Sequence, residues 1–117
     1  MRYAFAVPIR PGQAEACRRW ITECAGQRRA EYEDMQRRTG VTEEAYWLQT
    51  GPESDLLIVT SDSDQRAFNA LMLAPETDFD HWFRAQIETI LGFDPATTDQ
   101  AAGHTGPPPE QLLAWHA

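Results

Sequence analysis

Large and small side chains alternate at the start of the chain. Tyr3, Phe5, Val7 and Ile9 fall on one side of an extended segment, Ala4 and Ala6 on the other. A period of two predicts a strand over Tyr3–Ile9, and Pro11-Gly12 ends it. The period then lengthens. From Gln13 to Arg38 the residues Ala14, Cys17, Ile21, Cys24, Ala25, Tyr32 and Met35 share one stripe, which predicts a single long helix. Its polar side carries acid-before-base pairs at i,i+4, such as Glu15/Arg19, Glu33/Arg37 and Asp34/Arg38, and Gly40 closes it.

Val41–Thr50 and Asp55–Ser61 return to strand character, joined by the turn Gly51-Pro52-Glu53-Ser54. So short a connection predicts an antiparallel hairpin. Both faces of these strands carry apolar residues and both should be covered. One helical layer covers one face, and a second copy of the chain is the simplest cover for the other. Asp62-Ser63-Asp64 opens a helix through Phe68, Leu71 and Met72 that Pro75 breaks. Thr77 and Asp80 stand at capping-box spacing for a further helix with Phe79, Phe83, Ile87 and Ile90 on its apolar stripe, and Gly92 stops it. Residues 1–93 thus read as one α+β domain, and residues 94–117 as an irregular Pro- and Gly-rich arm. Its end, Leu112-Leu113-Ala114-Trp115, is apolar enough to dock on the body or on another subunit.

Charge and composition narrow the functional classes. The 117 residues carry a net charge of −8, which repels nucleic acid and anionic membrane surfaces. No apolar run reaches the roughly 18 residues of a membrane span. The N-terminus lacks the long apolar segment of a signal peptide, so a cytoplasmic protein is expected. All 10 basic residues are Arg, and without Lys no side-chain Schiff base can form. Cys17 and Cys24 lie about 10 Å apart along a helix axis, too far for a disulfide, and should be buried reduced thiols.

The order strand, helix, hairpin, helix, helix includes three local patterns: Glu31 ahead of Gly40-Val41, then Glu44-Ala45-Tyr46-Trp47-Leu48, then Asp78-Phe79-Asp80-His81 opening a helix. In these the chain resembles the dimeric α+β barrel superfamily, and within it a subgroup of small, largely uncharacterised bacterial proteins. It departs from them at Asp80, where the pattern has Glu, and in the C-terminal arm. The resemblance covers about the first 93 residues. It implies a ferredoxin-like βαββα fold with an antiparallel sheet, paired into a dimeric α+β barrel. Members of that superfamily are cofactor-independent monooxygenases, polyketide cyclases, isomerases or ligand binders, so the fold leaves the activity open.

Three residues are the candidates for chemistry. Arg28 falls near the middle of the apolar stripe, where an unpaired guanidinium would cost several kcal/mol. It is either an oxyanion clamp or an Arg led to the edge by a kink at Gly26. Glu44 shares a strand face with Tyr46 and Leu48, and is either the structural partner of Arg28 or a general base. His81 lies outside the arm that holds His104 and His116. It suits acid–base work near neutral pH, with Asp78 or Asp80 orienting it, but the helical wheel turns it toward solvent. Tyr32, Glu31, Trp47, Phe5 and Trp82 are the candidate lining of a substrate pocket. Glu31, Glu44 and His81 lack the local spacing of a metal site, so neither metal nor other cofactor is expected. Two functions follow. One is a cofactor-independent cyclase, isomerase or monooxygenase acting on an apolar, aromatic or polyketide-like metabolite. The other is a non-catalytic dimer that binds a small molecule or another protein.

Overall fold

A computed structural model of the chain describes residues 2–96 and 110–117. Strand β1 (Arg2–Pro8) leads through Gly12, at φ +81°, into helices α1 (Ala14–Ala25) and α2 (Arg29–Thr39). Strands β2 (Glu43–Gln49) and β3 (Leu56–Asp62) form the expected hairpin, and helices α3 (Gln65–Leu73) and α4 (Asp78–Gln86) follow. A π-helical turn, Ile87–Leu91, continues α4 and stops at Gly92, whose φ is +80°. The three strands form one antiparallel sheet in the order β1-β3-β2, with β3 inserted between the two strands that flank α1 and α2.

The helix boundaries have local causes. Asp64 caps α3 by accepting from Arg66 N at 2.9 Å. Thr77 and Asp80 form the expected capping box of α4, each side chain accepting from the other's backbone N–H. Gly40 ends α2 in the left-handed region at φ +75°, its N–H directed to the carbonyls of Arg37 and Gln36.

The single long helix expected over Gln13–Arg38 is instead two helices. A straight helix of that length would run about 39 Å, well past strands about 23 Å long. The break falls at Gly26, whose φ and ψ of −116° and −105° are not helical. Before it, Thr22 Oγ1 turns back onto the carbonyls of Arg18 and Arg19, a bond that bends helices. After it, Arg28 N donates to Glu23 O at 2.8 Å and Arg29 N to Gly26 O at 3.1 Å. Trp20 is part of the buried face of α1, whereas Ala25, placed on the stripe by periodicity, is exposed.

Register assigns the two sheet faces. Phe5, Val59 and Tyr46 stand side by side across the three strands, as do Val7, Leu57 and Leu48. These rows meet the helices. The core between them holds Cys17, Trp20, Cys24, Met35, Met72, Phe79, Phe83 and Ile87, with Trp20 edge-on to Phe83 at 5.1 Å. One row further along, the helix-side positions are polar: Tyr3, Ser61 and Glu44. The opposite face presents Ala4, Ala6, Ala45, Trp47 and Ile58, and Trp47 is 53% exposed. Leu112, Leu113 and Trp115 are 86%, 83% and 78% exposed within the single chain, so of the two expected dockings of the C-terminal end the one on the body is not seen there. The rest of the expected arm falls largely on residues 97–109, outside the described residues.

Candidate functional site

The polar row on the helix side builds a cluster that combines a carboxylate with apolar walls. Strand parity puts Glu44 and Tyr46 on the same side of β2, and the i,i+4 spacing of α2 brings Tyr32 and Gln36 above them. Glu44 Oε1 accepts from Tyr32 OH at 2.6 Å, Tyr46 OH at 2.7 Å and Gln36 Nε2 at 2.8 Å. Gln36 Nε2 also lies 2.9 Å from Tyr32 OH. Among the described residues Oε2 has only the Ser61 hydroxyl, at 3.3 Å. Ser61 Oγ is also 2.9 Å from Ser63 Oγ, and a hydroxyl with one proton can serve only one of these acceptors at a time.

From Ser63 the chain of hydrogen bonds continues. Ser63 donates to Tyr3 OH at 3.0 Å, Tyr3 to Gln65 Oε1 at 2.9 Å, and Gln65 Nε2 to Asn69 Oδ1 at 2.8 Å. The row thus links the foot of α2 to α3 beneath the helical layer.

A cleft of about 270 Å3 opens beside Glu44, walled by Ile21, Cys24, Ala25, Tyr32 and Tyr46, with Arg29 and Glu33 also lining it. Arg29 is bound to Glu33 at 2.8 Å. A second cleft of about 300 Å3 shares Glu44 but is otherwise lined by Arg2, Glu43, Ala45, Thr60 and Ser61. Its Arg2–Glu43 pair is exposed, which makes it the wetter of the two. Inside the core a gap between Phe5, Trp20, Tyr46 and Phe83 is only about 10 Å3.

Electrostatics agrees with this geometry. Burial, and next the charge of Glu44, push the Tyr32 phenol far above its ordinary range, and the same two causes act on Tyr46. Both tyrosines are therefore fixed as donors. Burial pushes the Cys24 thiol up to about 12 and the Cys17 thiol to about 11. Both cysteines are buried and unbonded, as their spacing predicts.

No family model, curated protein or solved structure matches the chain.

Of the expected site residues, Glu44 and Tyr32 are brought together at the cleft, and Arg28 and Trp82 meet away from it. Arg28 does not pair with Glu44 or Glu31. The break at Gly26 rotates it out of the stripe and over Trp82, 4.3 Å from the ring centroid, with Phe79 at 6.0 Å and Glu23 at 3.6 Å. Glu31 is exposed on the first turn of α2. His81 is exposed and does not line the Glu44 cleft. Asp80, expected to orient it, is fully buried and engaged elsewhere. It accepts both terminal nitrogens of Arg38 at 2.9 Å and the backbone N–H groups of Glu76 and Thr77 at 3.1 Å. Phe5 lies in the core under Tyr3, Trp82 beneath Arg28, and Trp47 on the opposite sheet face. Glu31, Glu44 and His81 form no metal-binding group, and none is found among the described residues.

Sequence reasoning missed Gln36, Ser61 and Cys24 as members of the site. Gln36 was detectable, one helical turn from Tyr32. Ser61 required the β2–β3 register, which only the fold supplies.

Proposed function

We propose that the chain is a cofactor-independent enzyme that performs acid–base chemistry on a small apolar metabolite, aromatic or polyketide-like, with Glu44 as the base. One observation carries this reading: a carboxylate with one oxygen held by three donors and the other lightly held lines an apolar-walled cleft. Oε1 anchors the group and Oε2 receives a proton from an acidic C–H or O–H of the ligand, as a positioned base does. As negative charge leaves Glu44, Tyr32 and Tyr46 lose their strongest acceptor. Their O–H groups then turn to the ligand oxygen on which charge develops, supplying the stabilisation an oxyanion hole gives. The chemistry is cyclisation, isomerisation or cofactorless oxygenation.

The finer architecture belongs to the same proposal. The β1-β3-β2 order, with paired helices between β1 and β2, supports a ferredoxin-like βαββα fold. The uncovered apolar sheet face supports a cytoplasmic homodimer of the α+β barrel kind, in which a second copy faces that surface. No helix among the described residues is long and apolar enough to cross a membrane.

The second reading, a small-molecule-binding module without catalysis, draws on the small core gap and on the fully paired Oε1. One experiment separates the two. Thermal shift across a metabolite panel identifies a ligand, and mass spectrometry then follows its conversion by the parent, Glu44→Gln and His81→Ala. Glu44→Gln is expected to lower turnover by about 10²–10⁴ while still binding the ligand, with His81→Ala near parental. Full turnover in Glu44→Gln removes Glu44 as the base. A ligand recovered unchanged from the parent favours the binding module.

A further inference from the structure

Among the large apolar side chains exposed in the described residues, Leu73 at the end of α3 stands alone and the rest fall in two groups. Trp47 stands on the open sheet face beside Ile58, with Ala4, Ala6 and Ala45 around them. Leu112, Leu113 and Trp115 occupy the C-terminal end and are exposed throughout. Each group has the chemistry to cover the other, and within one chain neither does. Contiguous apolar surface of this kind marks an interaction site rather than a solvated face.

Two magnitudes say what covers the sheet. Three strands of seven residues present a footprint of roughly 330 Å2, at about 4.8 Å between strands and 3.3 Å per residue. A stable interface buries about 800 Å2 of accessible surface from each partner, so apolar side chains beyond the three strands strengthen a contact made face against face. An aromatic side chain alone buries about 150–250 Å2, and Trp115 with two leucines supplies such surface. Reach is not limiting. Residues 97–109 span up to about 45 Å when extended, against a longest molecular dimension of 36 Å. An arm that crosses to a second copy, and is met by the identical arm coming back, gives a closed two-fold contact.

We infer that the C-terminal arm is exchanged in a homodimer: Leu112, Leu113 and Trp115 of one chain complete the apolar cover over the Trp47–Ile58 face of a second copy. The inference rests on the homodimer proposed above and adds to it the segment that strengthens the dimer. It predicts that the arm governs the dimer constant and leaves the fold of the single chain alone.

The test uses the full chain. Chains carrying Ile58→Cys are mixed with chains carrying Leu113→Cys, left to exchange, and treated with a short bis-maleimide. Native Cys17 and Cys24 do not interfere, being buried with thiols pushed up to about 11 and 12. The expected product is a covalent dimer that joins position 58 of one chain to position 113 of the other, identified by peptide mass. In parallel, Trp115→Ala and Leu113→Ser should raise the dimer dissociation constant at least about tenfold, as removal of a central interface anchor does, with unchanged far-ultraviolet dichroism. A parent of dimeric mass that gives no 58–113 link and tolerates both arm substitutions overturns the arm exchange and leaves the dimer standing. The double variant Ile58→Cys/Leu113→Cys linking within one chain also overturns it, because the arm then seals its own sheet. A parent of monomeric mass overturns the dimer itself and the exchange with it.

Discussion

Asp80 and Glu44 are both carboxylates packed against the helical layer, and their partners set them to different tasks. Asp80 meets a cation. Burial, the largest single influence, raises its carboxyl, but the Arg38 hydrogen bonds, the N–H groups of Glu76 and Thr77, and the Arg38 charge together outweigh it and hold it below the ordinary range. That is a structural pair, closing the start of α4 onto α2. A lowered folded value means stability that is complete above the unfolded value near 3.9 and lost as pH falls through the folded value. Parent protein should therefore lose stability below about pH 4 more steeply than Asp80→Asn, which lacks the pair. At neutral pH Asp80→Asn should cost about 1–3 kcal/mol by denaturant titration, since both terminal nitrogens of Arg38 lose their buried carboxylate while its Nε keeps Asp34 at 2.8 Å. A loss under about half a kcal/mol would make the pair a surface contact. Glu44 has only neutral donors among its hydrogen-bond partners, which hold it in place without an ion pair. The thiols allow a second check at this scale. With the Cys24 thiol pushed up to about 12 and the Cys17 thiol to about 11, native protein at pH 8 should resist a disulfide reagent. Denatured protein should give two thiols per chain, and rapid native reaction would place either sulfur at the surface.

At the scale of elements, the strands and caps were legible, and the helix break only as the alternative that a kink at Gly26 offered for Arg28. Alternation located β1 because its inner residues are large and its outer ones small, and the Thr77–Asp80 spacing carries its own hydrogen-bond pattern. The stripe across residues 14–35 misled because a helical wheel assumes one unbroken axis. Gly26 is the one residue in that stretch that marks the break, and its consequence falls on every residue after it. Arg28 moves from the middle of the apolar face to a place over Trp82. A guanidinium on an aromatic face with a carboxylate at 3.6 Å is worth about 1 kcal/mol. Arg28→Ala should therefore lower stability by about that much, not the 3 kcal/mol of a buried pair. Gly40, at φ +75°, should show a similar loss on Gly40→Ala, about 1 kcal/mol, because an L side chain is strained there. Its Cβ would meet no neighbour, so a larger loss would need a cause beyond backbone strain.

At the scale of the whole molecule, the sheet has one face to fold with and one to spare. On the helix side, rows of Phe5, Val59 and Tyr46 and of Val7, Leu57 and Leu48 form the core. The next row, Tyr3, Ser61 and Glu44, forms the site. Half of that site was legible, because parity alone aligns Glu44 with Tyr46. Which helical side chains oppose them depends on the rotation set at Gly26, and no periodicity carries that. On the other face Trp47 stands exposed beside Ile58 with no helix over it, while acidic and basic residues mark only the Arg2, Asp62 and Glu43 end. If a second copy covers this face, a charge at its centre should separate the copies without disturbing the core behind. Trp47→Glu is expected to run at the 13.3 kDa mass of one chain by light scattering at concentrations where the parent runs at twice that mass. Its thermal midpoint, extrapolated to low concentration, should match the parent's, because Trp47 adds nothing to the helix-side packing. A Trp47→Glu protein that stays dimeric would move the interface off the open face. One that unfolds at every concentration would mean that the face is covered within the single chain.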